Sequence, residues 1–508
     1  MTGMTVRDDE NQHTGTTSAA EAADGRGTTD HAGCVRDAGR VGAAGCVGDA
    51  GRVGDAGRVG DAGRDLTAEE LAAFDRTLGR LRTLPAHSRT RQHAERQLRS
   101  FVTESRKLRR REARDTLRQA DAELLAGTAT GARHRREDAP LATAHGPVGD
   151  LRIPRKCYVC KGPYHQVDAF YHMLCPDCAA DNTGRRTLGT DLRGRRALLT
   201  GGRVKIGYHL ALMMLRDGAE LIVTSRFPHD TVRRFRAAEG SGQWWDRLTV
   251  VGIDLRDPRQ VIGLTDRLTA EGRPLDVLVN NAAQTLRRPP ESYALLAAGE
   301  RSALPAAERR AVTHAPGFQP LSALAQLPSG SASLLDLTDE AGLLPDLSPA
   351  NSWSVRLGSL DPAEVLETQL VNALAPTLLC DRLLPLLLAS PHPARYIVNV
   401  TAVEGRFAVR NKTAGHPHAN MAKAALNMLT RTSAADLARQ GVHMCAVDTG
   451  WITDENPAPK KAHLADQGFR TPLDVVDGAA RVYDPIVRGE AGHPVSGVFL
   501  KDYREAAW

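Results

Sequence analysis

The chain has 508 residues, 42% of them hydrophobic, and a formal net charge of +6 from 66 basic and 60 acidic side chains. That length exceeds one ordinary domain and can bury a substantial core, while so mild a charge excludes a chain devoted as a whole to nucleic acid. No apolar run approaches the roughly 18 residues of a membrane span, and the N-terminus lacks an apolar signal core, so the sequence reads as cytoplasmic and without membrane contact.

Residues 1–64 are rich in Gly, Ala, Asp and Thr and repeat a hexapeptide from Asp37, with valine at 41, 47, 53 and 59. Too little apolar mass recurs to build a β-helix, and the segment reads as disordered. Residues 65–140 read as a basic helical hairpin. Asp65 or Thr67 caps a helix that runs through Leu81, and Pro85 follows in the connection. A second helix spans about Ser88 to Leu125, with Arg106, Lys107, Arg109, Arg110, Arg111 and Arg114 crowded on one stretch. Without an aromatic platform those charges read as a solvated face rather than a nucleic-acid surface.

Residues 150–188 carry Cys157-Tyr-Val-Cys160, a 14-residue spacer and Cys175-Pro-Asp-Cys178. Two such knuckles bring four thiolates around one tetrahedral zinc at about 2.3 Å. Four sulfurs fill the coordination sphere, so the predicted zinc is structural, and Tyr164, Phe170 and Tyr171 are expected to cover the ribbon.

From Asp191 the pattern becomes β-α-β. Ala197–Thr200, Leu221–Thr224, Leu248–Gly252 and Val277–Val279 read as strands, and Tyr208–Asp217 as the first helix. Alternation of this kind predicts an α/β fold, a Rossmann-like doubly wound parallel sheet with a ligand at the carboxyl ends of its strands.

Residues 191–508 resemble the short-chain dehydrogenase/reductase superfamily. Thr200-Gly201-x-x-x-x-Ile206-Gly207 is similar to the family's glycine turn, Asp254-Leu255 to its adenine contact, and Asn280-Asn281-Ala282 to its fourth-strand motif. Asn372 falls at the family's helix asparagine, and Lys423 opens a segment like its active-site helix. The resemblance implies a dinucleotide held by Gly201, Arg203, Ile206, Gly207, Arg226, Asp254, Asn281, Ala282 and Lys423. It also implies a small-molecule substrate and a homo-oligomer. Because Ser225-Arg226 lacks the acid that would hold a ribose 2′-hydroxyl, NADP is favoured over NAD. Lys205 stands where the family has its second glycine, so either the turn is remodelled with Lys205 pointing outward or dinucleotide affinity is weakened, and retained binding is expected.

The match breaks at the reacting centre. Ala402 occupies the family's serine position and Ala419 its tyrosine position, four residues before Lys423. Lys423 and Asn372 remain, and His418, one residue from the vacant tyrosine position, is the expected acid/base, with His416 behind it. The family link between Asn281 and Asn372 is stretched by an insertion at about 284–360, a candidate lid or partner surface. Its Arg287 and Arg288 are candidate contacts for an anionic substrate group. Two functions follow: an NADP-dependent oxidoreductase with a substituted proton donor, or a catalytically silent dinucleotide-binding sensor or scaffold.

Overall fold

The computed structural model describes residues 65–320, 338–409 and 412–508. The hexapeptide repeat, Cys34, Cys46 and part of the insertion lie outside them. The chain divides into two compact units, Met1–Glu95 and Arg96–Trp508. In the first, helix α1 (Ala68–Thr83) begins at a capping box: the Thr67 hydroxyl accepts the Glu70 amide and the Glu70 carboxylate accepts the Thr67 amide. Such a cap contributes about 1 kcal/mol by satisfying orphan amides of the first turn. Helix α2 (Arg89–Ala126) buries only Asp121 and Leu125.

Within the second unit, the Asp121 carboxylate accepts the amides of Arg152 (2.7 Å) and Ile153 (3.1 Å). This bonds the end of α2 to strand β1 (Pro147–Lys156), which pairs antiparallel with β2 (Pro163–Asp168). Helix α3 (Pro176–Arg185) closes the ribbon. Tyr164, Phe170 and Tyr171 are buried there, but against Ile452, Leu473 and Val475 from far along the chain. A ribbon this small lacks apolar mass of its own and borrows its core from its neighbour.

One buried ionic cluster fastens that join. Arg186, just past α3, reaches Asp474 at 2.6 Å and Asp477 at 3.0 Å, and the Tyr171 hydroxyl donates to Asp477 at 2.6 Å. Asp474 is itself the N-cap of a later helix, accepting the amides of Val476 and Asp477.

Among the described residues the main sheet has nine strands: β3 (Arg196–Leu199), β4 (Glu220–Ser225), β5 (Leu248–Gly252), β6 (Val277–Asn280), β7 (Val312–His314), β8 (Arg395–Thr401), β9 (Val442–Asp448), β10 (Phe499–Lys501) and β11 (Arg504–Glu505). Their order is β11-β10-β9-β8-β6-β3-β4-β5-β7, parallel throughout except for the final β10–β11 pair. Connections pack as helices on both faces: α4 (Lys205–Arg216), α5 (Pro228–Ala237), α6 (Pro258–Glu271), α7 (Ala294–Arg301), α8 (Ala306–Arg309), α9 (Pro362–Gln369), α10 (Ala375–Leu388), α11 (Pro417–Arg439), α12 (Ala458–Asp466) and α13 (Val475–Glu490).

Strand periodicity divides the core. Ala197 and Leu199 pack with Leu210, Phe235 and Ile486 on one face, whereas Leu198 packs with Leu264, Leu383 and Leu387 on the other. Each fully buried leucine contributes roughly 1.5–3 kcal/mol. The continuous helical run Pro362–Leu388 is long and apolar enough to cross a membrane by length and composition alone, but half of its apolar window is buried inside the domain.

Two sequence expectations change. The first helix starts at Lys205, three residues before the expected Tyr208, so the glycine turn is short. The described part of the insertion runs through α7 and α8 into β7, which pairs with β5 and widens the sheet.

Arg186→Leu is expected to cost about 3–5 kcal/mol, because it strands two buried carboxylates. Urea unfolding of the full chain measures this, and a loss below about 1 kcal/mol would show that the join is carried by apolar packing alone.

Candidate functional site

The order of the sheet reverses at β3, whose neighbours β4 and β6 are reached in opposite directions, and a crevice opens there at the strands' carboxyl ends. One wall is the glycine turn. Gly201 has φ +72°, and a Cβ there would lie 2.9 Å from Ala282 Cα. A Cβ on Gly207 would press on the Gly201 carbonyl and lie 2.6 Å from Asn281 Nδ2. Asn281 Nδ2 donates to the carbonyls of Thr200 (3.0 Å) and Gly201 (3.1 Å), and Thr200 Oγ1 accepts the amides of Asn281 and Ala282 at 3.0 Å each. The turn and the end of β6 are therefore one hydrogen-bonded unit.

Lys205 is remodelled to fit its glycine position. Its φ is +53°, a left-handed conformation that costs a side-chain-bearing residue roughly 1–2 kcal/mol. Its Nζ lies 3.9 Å from Glu455 Oε1. Burial opposes ionisation of Glu455, but Lys205, Thr453, Lys461 and Arg288 together hold its carboxyl below the usual range. Ile206 packs beside Gly478 of α13 and against the core.

The three charged cofactor candidates differ in their commitments. Arg203 is buried and donates to Asp230 (2.7 Å) and to the Ala341 carbonyl (2.8 Å). Asp254 is gripped by Arg256, with Nη2 at 2.6 Å, which lowers its carboxyl pKa although burial pushes the other way. Arg226, directly after β4, lies over the rings of Phe227 (5.7 Å) and Tyr293 (5.2 Å) and, among the described residues, pairs with no carboxylate. Tyr293 comes from the insertion and stacks on Phe227 with ring centroids 5.9 Å apart. No motif pointed to it, since insertions carry no family pattern.

The opposite wall holds Lys423 and Asn372. Lys423 Nζ donates to the Val400 carbonyl at 2.9 Å, and the Thr401 hydroxyl donates to the Lys423 carbonyl at 3.3 Å. Burial pushes the Lys423 ammonium down to about 8, against the pull of Glu404. Asn372 lies in a π-helical turn, Leu370–Leu374, for which the sequence supplies a reason. Pro376 has no amide to return to the carbonyl four residues back, so the helix widens there. The Asn372 side chain accepts the Gln284 amide (2.6 Å) and donates to the Gln284 carbonyl (3.0 Å).

Ala419 is buried one turn before Lys423 and Ala402 stands at the end of β8, so neither position offers a polar side-chain atom. His418 is buried in the packing of α9 and α11, with Nε2 3.4 Å from Glu364 Oε1. His416 stacks on Trp353 at 3.8 Å, and its Nδ1 lies 3.0 Å from the Trp353 carbonyl. Arg287 pairs with Asp361 at 2.5 Å and Arg288 with Asp339 at 3.4 Å.

Sequence reasoning passed over Glu404, in the turn Val403–Gly405 just beyond β8. Burial raises its carboxyl pKa above the usual value, with Asp448 adding to the rise and Lys412 and Lys501 opposing it. The only signal was an acid beside a glycine at the end of an otherwise apolar strand.

Away from the crevice, the sulfurs of Cys157, Cys160, Cys175 and Cys178 all lie within 4.8 Å of one another. The Cys160 and Cys175 sulfurs are 3.7 Å apart.

Two family profiles match this chain, one described as short chain dehydrogenase over residues 195–297 and one as enoyl-(acyl carrier protein) reductase over residues 346–470. Uncharacterized protein R665 of Acanthamoeba polyphaga mimivirus is 29% identical over 351 residues, covering 65% of this chain and 71% of its own. C-signal of Myxococcus xanthus is 32% identical over 122 residues, covering 24% of this chain and 72% of its own. A short chain dehydrogenase from Burkholderia cenocepacia J2315, solved in complex with NADP, aligns with 61% of this chain and 97% of its own, at 22% identity and a TM-score of 0.41. The chain belongs to the short-chain dehydrogenase/reductase superfamily.

The Lys423 shift has a thermodynamic sign. Between about pH 8 and the ordinary lysine value the unfolded chain holds a proton that the folded chain has released, so this residue makes stability rise with pH across that window. Lys423→Met is expected to abolish that rise. Urea unfolding of both proteins on either side of the window measures it, and parallel pH dependences would mean that the ammonium is not desolvated.

Proposed function

We propose that this chain is an NADP(H)-dependent oxidoreductase of the short-chain type that interconverts a carbonyl compound and an alcohol with a non-standard proton donor. The observation that carries this reading is the buried Lys423 ammonium bonded to the Val400 carbonyl near the carboxyl end of β8, on the same sheet edge as the Gly201–Gly207 turn after β3. A lysine is costly to bury without a partner, so its retention there argues for a task.

The residues fit a dinucleotide. Side chains at Gly201 and Gly207 would collide with Ala282 and Asn281, so glycine there lets the turn pack on the end of β6 and sets the start of α4, whose first amides would face a phosphate. Arg226, which forms no salt bridge among the described residues although its charge is felt by Asp254, suits a 2′-phosphate, while Gly201, Gly207, Asn281 and Ala282 would shape the floor of the site. Arg203 and Asp254, already engaged by Asp230 and Arg256, would act through the shape of the site rather than through free charge. When bound, the dinucleotide supplies or accepts the hydride. Lys423 would orient it from the opposite wall, and Asn372 would hold that wall to Gln284. His418, oriented by Glu364, is the donor candidate that its spacing from Lys423 suggests. Arg287 and Arg288 both have acid partners, so neutral as well as anionic carbonyls belong in a substrate screen.

The four cysteines fit a structural zinc. Sulfurs about 2.3 Å from a tetrahedral ion lie about 3.8 Å apart, close to the 3.7 Å between Cys160 and Cys175. The expected result is one zinc per chain by elemental analysis, lost in Cys160→Ser. A stoichiometry unchanged by that substitution would assign the metal elsewhere.

The second reading, a silent dinucleotide-binding sensor or scaffold, is favoured by the two alanines at 402 and 419. Calorimetric titration with NADPH and NADH followed by a carbonyl screen separates the two. NADPH is expected to bind more tightly, and Arg226→Ala to weaken NADPH about tenfold, or about 1.4 kcal/mol, with little effect on NADH. Binding without turnover on any carbonyl would favour the sensor, and no binding of either nucleotide would remove both readings.

A further inference from the structure

We infer that Glu404 is the proton donor of the proposed reduction, a carboxylic acid doing at Lys423 the work of the missing phenol. The inference rests on the oxidoreductase reading above and places Glu404, rather than His418, in its donor role.

The placement of Glu404 is enforced from both sides. A Cβ on Gly405 would lie 2.7 Å from the carbonyl carbon of Lys423 and 2.8 Å from its Cβ, so the Val403–Gly405 turn lies flat against the Lys423 segment of α11. On one flank the Val403 amide donates to Asp448 Oδ1 at 3.2 Å; on the other, Asn427 Nδ2 donates to the Gly405 carbonyl at 3.1 Å. Glu404 sits between these anchors, part-buried. Among the described residues its carboxyl has no side-chain partner in a hydrogen bond or salt bridge, and is bonded only to its own amide. A part-buried acid with no side-chain partner, held against the Lys423 segment, keeps its proton free for exchange with a bound substrate.

The charged groups around it are Lys423 on α11, Asp448 on β9, Lys501 on β10 and Lys412 in the loop before α11. Lys501 is already committed to Asp448 at 3.1 Å and to Asp502 at 3.3 Å. Burial therefore dominates at Glu404 and favours the neutral acid, the form able to donate. Two other protic groups nearby are engaged, the Thr401 hydroxyl on the Lys423 carbonyl and His416 on Trp353, while His418 Nε2 lies 3.4 Å from Glu364 Oε1 in the packing of α9 and α11.

In the reductive direction, a bound reduced dinucleotide would supply the hydride to the carbonyl carbon, and the C=O π pair would move to oxygen. That oxygen would take the proton of the Glu404 carboxyl, leaving alcohol, oxidised dinucleotide and a glutamate carboxylate beside Lys423. Solvent returns the proton through the exposed edge of the side chain. In the reverse direction the carboxylate is the base.

The test compares full-length wild type, Glu404→Gln, Glu404→Asp and His418→Ala for NADPH binding by calorimetry and for carbonyl reduction across pH. It also records the protonated-carboxyl band of the free protein by infrared difference spectroscopy. Glu404→Gln is expected to bind NADPH within about twofold of wild type and to lose roughly 10²–10⁴-fold in kcat, with partial recovery in Glu404→Asp. Because the donor must be protonated, wild-type kcat falls as pH rises through the carboxyl titration; Glu404→Gln loses that limb and the infrared band together. Wild-type turnover with rate and pH limb intact in Glu404→Gln would overturn the assignment alone, as would abolition only in His418→Ala. Wild type that binds NADPH but reduces no carbonyl would overturn the oxidoreductase reading, and Glu404 with it.

Discussion

Parallel strand pairing is the constraint from which the rest of this molecule follows. When eight strands run the same way, all their carboxyl ends fall on one edge, and the reversal of order at β3 opens a crevice on that edge. Gly201 follows β3, Arg226 follows β4, Asp254 follows β5, Asn281 follows β6 and Glu404 follows β8. Residues scattered over some 200 positions are therefore gathered by backbone geometry before any side chain makes a choice. The insertion obeys the same rule, since β7 joins the sheet parallel to β5.

Two charges inside this frame are under tension, and they are neighbours. Burial discourages the ammonium of Lys423 and the carboxylate of Glu404 alike, which draws their proton affinities toward each other. Elsewhere the interior resolves its charges by close pairing. Arg186 meets Asp474 and Asp477, and Arg203 meets Asp230. The unresolved pair stands at the crevice and the resolved pairs hold the fold, a division expected where catalytic groups must remain titratable.

The legible part of the sequence was local. β-α-β alternation, the glycine turn and the Asn280-Asn281-Ala282 strand end are written in adjacent residues, as are the two cysteine knuckles. The π turn at Asn372 was equally readable, because Pro376 four residues later forbids the normal bond. His418 teaches the opposite lesson. One helical residue is a rotation of about 100°, so adjacency to Ala419 in sequence carries the imidazole toward Glu364 on α9. Glu404 and Tyr293 depend on contacts between distant segments, and the Arg186 cluster joins positions almost 300 residues apart. No local pattern encodes such pairings, and only the folded chain reveals them.

The margins of the sheet have a consequence of another kind. Among the described residues its outermost strands are short, β7 with three residues and β11 with two, and Pro316 soon follows β7. A wide sheet ordinarily ends in a row of unpaired amides and carbonyls able to recruit a strand from another molecule. Here each margin offers a template of only two or three residues. The insertion that widened the sheet therefore also blunted it, protecting a large parallel β-structure from edge-to-edge aggregation.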